Sequence, residues 1–169
     1  DNVLYVADKT GGLQILDVSN KSNPVRLGQY TGPKNARAIS LDGNQIYLAD
    51  GAESVYVIDV TNPKFPTLIN KMTVDVYIPD VFKSGKNLFM ANETKKSVEI
   101  VDISTLPEMI PGGSYQAEDK VYGLWKEDVY VFVAANSKTL VLRYNSPPTL
   151  EAIPDTVINE QETITATTP

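Results

Sequence analysis

Apolar and polar residues alternate along most of this chain in short runs, and the runs return at a fixed interval. LYVAD at 4–8, IYLAD at 46–50 and LFMAN at 88–92 stand 42 residues apart. A second run keeps step: LQILDV starts at Leu13, VYVIDV at Val55, VEIVDI at Val98 and LVLRY at Leu140. A third, PVRLGQY from Pro24, matches PTLINKM from Pro66 and a degenerate EMIPGGSY that ends at Tyr115. The fourth comprises ARAISLDG from Ala36, IPDVFKSG from Ile78 and VYGLWKED from Val121. β-Branched and aromatic residues fill these runs. Turn formers separate them, as in Asp42-Gly43-Asn44, Ser84-Gly85-Lys86-Asn87 and Lys126-Glu127-Asp128. Such runs between turns predict strands joined as hairpins.

Four strands in a period of about 40–45 residues make the blade of a β-propeller, because a lone four-stranded sheet buries its faces only against neighbouring blades. The spacing therefore predicts an all-β fold of four-stranded antiparallel blades, part of a larger propeller. Lettered outward from the channel, strand A falls at 36–41, 78–83 and 121–126, and strand B at 3–8, 45–50, 87–92 and 129–134. Strand C falls at 13–18, 55–60, 98–103 and 140–144, and strand D at 25–30, 67–72 and about 109–115. Residues 1–145 thus hold a partial blade at 3–30, blades at 36–72 and 78–115, and a second partial blade at 121–145.

LQILDVSNKSNPVRLGQY and VYVIDVTNPKFPTLINKM carry a strand, an Asp-Val-Ser/Thr-Asn turn and a second strand in the manner of the LVIVD-repeat proteins, which residues 3–145 resemble. The resemblance implies a β-propeller on bacterial or archaeal cell-surface or secreted proteins, in a family with no general activity. The last two blades depart from it. STLPEMIPGGSY at 104–115 lacks the Asn-Pro turn, and the fourth strand C ends in Arg143-Tyr144 instead of Asp-Val or Asp-Ile.

Residues 146–169 open on Pro147-Pro148 and turn to Thr, Glu and Ile. They resemble the beginning of a cadherin-like or immunoglobulin-like module; an acidic linker and a closing strand are the other readings. With strand A of the first blade missing, three accounts of closure remain: a longer chain with more blades, which is preferred; 149–153 as an outer strand with 163–167 as the missing inner one; or pairing of two chains through open blade edges.

Composition narrows the chemistry. A hydrophobic content of 42% over 169 residues is that of a folded domain. Neither Cys nor His occurs, which removes thiol nucleophiles, Cys/His zinc sites and every Ser-His-Asp arrangement. The net charge of −6, four units of it in 146–169, and the lack of a basic stripe speak against nucleic acid. No apolar run approaches the roughly 18 residues that span a bilayer, so no membrane insertion is expected. No cofactor is expected either.

Asp17, Asp59 and Asp102 recur at the ends of strand C, where a carboxylate accepts backbone N–H groups of the following turn. Asp8, Asp50 and Asn92 recur after strand B in the same manner, and no loop has the alternating carboxylates of a calcium site, so no metal is assigned. Residues outside the repeat are the better ligand candidates: Arg37, Tyr122 and Trp125 in or beside strand A, with Tyr77 and Lys120 in the connections leading to it. Their stacking and forked hydrogen bonds suit a glycan or a peptide, against the alternative of gap filling between blades. Asn20-Lys21-Ser22 and Asn92-Glu93-Thr94 fit the glycosylation pattern.

The expected function is a non-enzymatic scaffold or protein-interaction propeller, extracellular or on a prokaryotic cell surface, with a protein or a surface glycan as partner. One alternative is carbohydrate binding on a shelf formed by Tyr122 and Trp125. Another is a lyase or hydrolase, which would need Asp80 to converge with Glu118 or Asp119, since acid–base work takes paired carboxylates. No catalytic residue is assigned.

Overall fold

The computed structural model of the chain describes residues 2–51, 54–145 and 149–153. Fifteen strands fall into four antiparallel sheets, each running in sequence order from its inner to its outer edge. Among the described residues the first blade has three strands: β1 (Val3–Ala7), β2 (Leu13–Asp17) and β3 (Val25–Tyr30). The second is β4 (Ala36–Asp42), β5 (Gln45–Asp50), β6 (Ser54–Asp59) and β7 (Thr67–Thr73). The third is β8 (Asp80–Ser84), β9 (Asn87–Asn92), β10 (Ser97–Asp102) and β11 (Ile110–Gln116). The fourth is β12 (Val121–Glu127), β13 (Tyr130–Ala135), β14 (Thr139–Asn145) and β15 (Thr149–Ala152). These are propeller-type blades in an array that the described residues leave unclosed.

Two details differ from the expected strands. The third blade's inner strand begins at Asp80 instead of Ile78, since Pro79 has no N–H to give to a ladder. The fourth blade gains an outer strand, with Thr149 opposite Asn145 and Leu150 opposite Tyr144. The alternative that takes 163–167 as the first blade's inner strand concerns residues outside those described, as does the module resemblance beyond Ile153.

Local chemistry explains the hairpins. The turns from β4 to β5 and from β8 to β9 place Gly43 at φ 55° and Gly85 at φ 56°, a region that costs glycine little. Asp128 takes the same conformation at φ 50° in the fourth blade, and Asp is among the residues that tolerate it.

The core lies between blades. Leu13 and Ile15 of the first meet Ile46, Leu48 and Ile58 of the second. Tyr47, Ala49, Val55 and Val57, on the second blade's other face, meet Leu88, Met90 and Val101 of the third. Phe89, Ala91, Val98 and Ile100 then meet Val131, Val133 and Leu142 of the fourth. Every second residue of a strand thus faces the preceding blade and the others the following one, the period-two alternation of a sheet covered on both sides.

Polar links join the inner strands. Lys9 and Ala36 exchange backbone hydrogen bonds of 3.0 and 2.9 Å. The Lys83 amide donates to Ser40 Oγ at 2.9 Å and the Leu124 amide to Asp80 Oδ2 at 2.8 Å. The Lys83 ammonium also pairs with Asp42.

Candidate functional site

The recurring carboxylates are occupied by the backbone. Asp17 Oδ1 accepts from Ser19 N at 2.8 Å, Asp59 Oδ1 from Thr61 N at 2.7 Å, and Asp102 Oδ1 from Ser104 N at 2.8 Å. Hydrogen bonds from Ser19, Thr61 and Ser104 respectively hold these carboxyls below the ordinary aspartate value, with Lys86 adding a smaller effect at Asp102. Asp50 is buried, and its two oxygens accept the Asn35 and Lys34 amides at 2.7 and 3.0 Å. Asn92 is fully buried and donates to Glu99 Oε1 at 2.8 Å, so an attached glycan has no space at this sequon. Asn20 is exposed.

The non-repeating candidates separate into two places. At one end of the blades the residue after a second strand donates to the connection before an inner strand: Gly51 to Asn35 O, Glu93 to Tyr77 O and Asn136 to Lys120 O. This pattern sets a rim of side chains. The Arg37 guanidinium lies 5.5 Å from the centre of the Tyr77 ring, within the range of a cation–π contact. Lys120 donates to Glu93 Oε1 at 2.7 Å, and that hydrogen bond raises the ammonium pKa, with a smaller contribution from nearby Tyr122. Tyr122 is exposed beside this pair. Lys138 and Glu118 close a further ion pair at 2.7 Å, and Ser137 donates to Asp119 at 2.6 Å.

Trp125 stands apart from that rim. Its ring leans on Phe82 with centroids 5.0 Å apart and remains 59% exposed. It stands opposite Phe132 in the register of the fourth blade and, with Thr139, Ala134 and Asp80, borders a shallow depression. Burial raises the Asp80 carboxyl above its ordinary value, against the lowering effect of the Leu124 and Val81 amides. Asp80, Glu118 and Asp119 are each held by a different partner. Among the described residues no group of three or more Asp or Glu stands where it could hold a metal ion. Tyr122 and Trp125 lie three positions apart on β12 and form no joint shelf: Tyr122 is beside Lys120, whereas Trp125 is on Phe82.

The spacing did not single out the apolar faces at the two ends of the array. Leu4 is 46% exposed and Tyr130 is 41% exposed, although the residues equivalent to Leu4 in the next two blades, Ile46 and Leu88, are fully buried. The signal was present in the repeat itself, because Leu4 stands at the step where Ile46 and Leu88 are buried, and among the described residues no sheet lies against it.

Comparison with known proteins agrees with this architecture. The family described as LVIVD repeat matches residues 1–32 and again 33–74. No curated protein matches the chain. Among solved structures, a functionally unknown protein from Desulfotomaculum acetoxidans DSM 771 superposes with a TM-score of 0.70 at 15% identity, over 91% of this chain and 54% of that one. The computationally designed Ika8 protein superposes with a TM-score of 0.64 at 13% identity, over 85% of this chain and 43% of its own. This chain therefore spans about half the length of each, and the likeness concerns the fold alone.

Proposed function

We propose, for a chain whose first 74 residues match two LVIVD repeats and whose four sheets are all antiparallel blades with strands in sequence order, a non-enzymatic protein-interaction scaffold of the cell surface or extracellular space. The observation that supports this reading is the exposed apolar side chains of the blades, Leu4 on the first and Trp125 and Tyr130 on the fourth. Exposed large apolar side chains of this kind suit contact with a protein partner. The rim carboxylates and ammonium groups neutralise one another in pairs, an arrangement that suits a solvated edge better than acid–base work.

Trp125 is the only tryptophan, so its fluorescence reports on one of these side chains. Protection of Trp125 from acrylamide when protein is added, with no response to soluble oligosaccharides, is the expected result. A second reading, glycan binding, draws on the exposed indole beside Asp80 and Thr139. An oligosaccharide that protects Trp125 by itself would replace the scaffold reading with that one.

A further inference from the structure

We infer that the cleft between the second and third blades binds a primary ammonium group carried on an apolar stem, with Glu99 as its counter-ion. The site is separate from the exposed apolar side chains of the interaction reading, and neither reading depends on the other.

The repeat shows why the cleft exists. Tyr30 of β3 stands opposite Leu13, Met72 of β7 opposite Val55 and Tyr115 of β11 opposite Val98, so these three occupy one step of the blade. Tyr56 opposite Leu48, Glu99 opposite Met90 and Val141 opposite Phe132 occupy another. Between the first and second blades the two steps meet as Tyr30 and Tyr56, whose rings pack edge to face with centroids 6.2 Å apart. Tyr56 is buried there, and its hydroxyl donates to Gly32 O at 3.2 Å. Between the second and third blades the same steps hold Met72 and Glu99, so no ring pair fills the space. A cleft of about 340 Å³ remains, within the size range of small-molecule sites.

Its lining selects the ligand. Met72, Val74, Met90 and Val101 supply apolar surface, and Glu99 stands opposite Ser114 in the register of β10 and β11. Gly112 and Gly113 border the cleft without side chains, where that register shifts. Glu99 Oε1 accepts from Asn92 Nδ2 at 2.8 Å and from Ser97 Oγ at 3.3 Å, which fixes the carboxylate. Lys95 approaches the same oxygen at 3.6 Å with a side chain 59% exposed, and so open an ion pair contributes little. Among the described residues no hydrogen bond reaches Oε2, although each carboxylate oxygen has acceptor capacity. An ammonium group satisfies that oxygen with a charge-assisted hydrogen bond, whereas an anion is repelled and a purely apolar ligand leaves it unpaired. The unbranched Met72 and Met90 adapt to the stem. A lysine side chain of a partner protein and a free alkylamine both carry this chemistry.

Methionine-methyl NMR on the full chain tests the site, with hexylammonium as the probe. Of the three methionines, Met72 and Met90 line the cleft, whereas Met109 packs against the same core without lining it. Hexylammonium should shift the Met72 and Met90 signals and leave Met109 in place, and hexanoate should shift none. Glu99→Gln keeps an oxygen for Asn92 and removes the charge; it should weaken the affinity at least about tenfold, the scale expected when a charged hydrogen bond is lost. Glu99→Tyr places a ring where Tyr56 has one and should abolish the Met90 shift. Absence of any shift with hexylammonium, an equal response to 1-hexanol, or an undiminished affinity in a Glu99→Gln chain that folds by circular dichroism overturns the site. Nα-acetyl-lysine methylamide separates the two sources: shifts like those of hexylammonium assign the ligand to a lysine of a partner protein, and shifts with hexylammonium alone assign it to a free amine, either of which upholds ammonium recognition. The response of Trp125 to added protein is read separately, so loss of this site leaves the scaffold reading to its own assay.

Discussion

Truncating one leucine at two equivalent places measures what a neighbouring blade contributes. Leu88 is fully buried between the second and third blades, whereas Leu4, at the same step of the first blade, is 46% exposed. Leu→Ala removes three carbons, worth about 2.4 kcal/mol at about 0.8 kcal/mol per buried carbon, and the cavity left in a packed site raises this to about 3–5 kcal/mol. Leu88→Ala should therefore cost about 3–5 kcal/mol. At Leu4 only about half of the transfer term applies and solvent fills the space, so Leu4→Ala should cost about 1 kcal/mol. Urea denaturation followed by far-ultraviolet circular dichroism gives both values. Equal losses at the two positions, or a loss at Leu88 below about 1 kcal/mol, would refute the assignment of these faces.

Other outcomes follow from the polar and steric links. Asp59→Ala should lower the melting temperature at neutral pH: the folded carboxyl sits below its ordinary value, so its contribution is present above about pH 4 and fades as pH falls through that range. The wild-type and variant melting curves should then converge in acid. Asp80 acts in the opposite sense, since burial raises its carboxyl; Asp80→Asn should flatten the part of the stability curve in which protonation of the wild type is favourable. Ser40→Ala removes the acceptor of the Lys83 amide and should cost about 0.5–1.5 kcal/mol in the same urea assay. A Cβ on Gly28 would lie 2.2 Å from the Pro63 carbonyl oxygen and 3.1 Å from the Lys64 backbone, so Gly28→Ala should separate the first two blades at a cost of about 1–3 kcal/mol.

The blade plan was legible because its causes are local. A strand between two packed blades needs apolar residues at nearly every position, and GlnIleTyrLeuAlaAsp of β5 or AsnLeuPheMetAlaAsn of β9 supplies them at a spacing of 42. The outer strand of the last blade was harder to place, because Pro147 and Pro148 interrupt the chain just before Thr149 and the four residues of β15 lack a long apolar run. Arg37 and Tyr77 came together as candidate ligand residues because both belong to the rim. The grouping of Tyr122 with Trp125 did not hold, since closeness along a strand says nothing about a shared face when the separation is odd and a bulge lies between Val121 and Gly123. The exposed ends were missed for another reason: exposure of Leu4 or Trp125 depends on whether a blade stands beside it, which no single repeat records.

Amide hydrogen exchange along the second-position strands tests the open array most directly. β5, β9 and β13 have a strand on either side, whereas among the described residues β1 pairs with β2 alone. Apart from that missing neighbour the four strands hold equivalent places, so amides of β1 should exchange well ahead of those of the other three. Protection of β1 equal to theirs would contradict the open first blade and show that an inner strand is supplied to it.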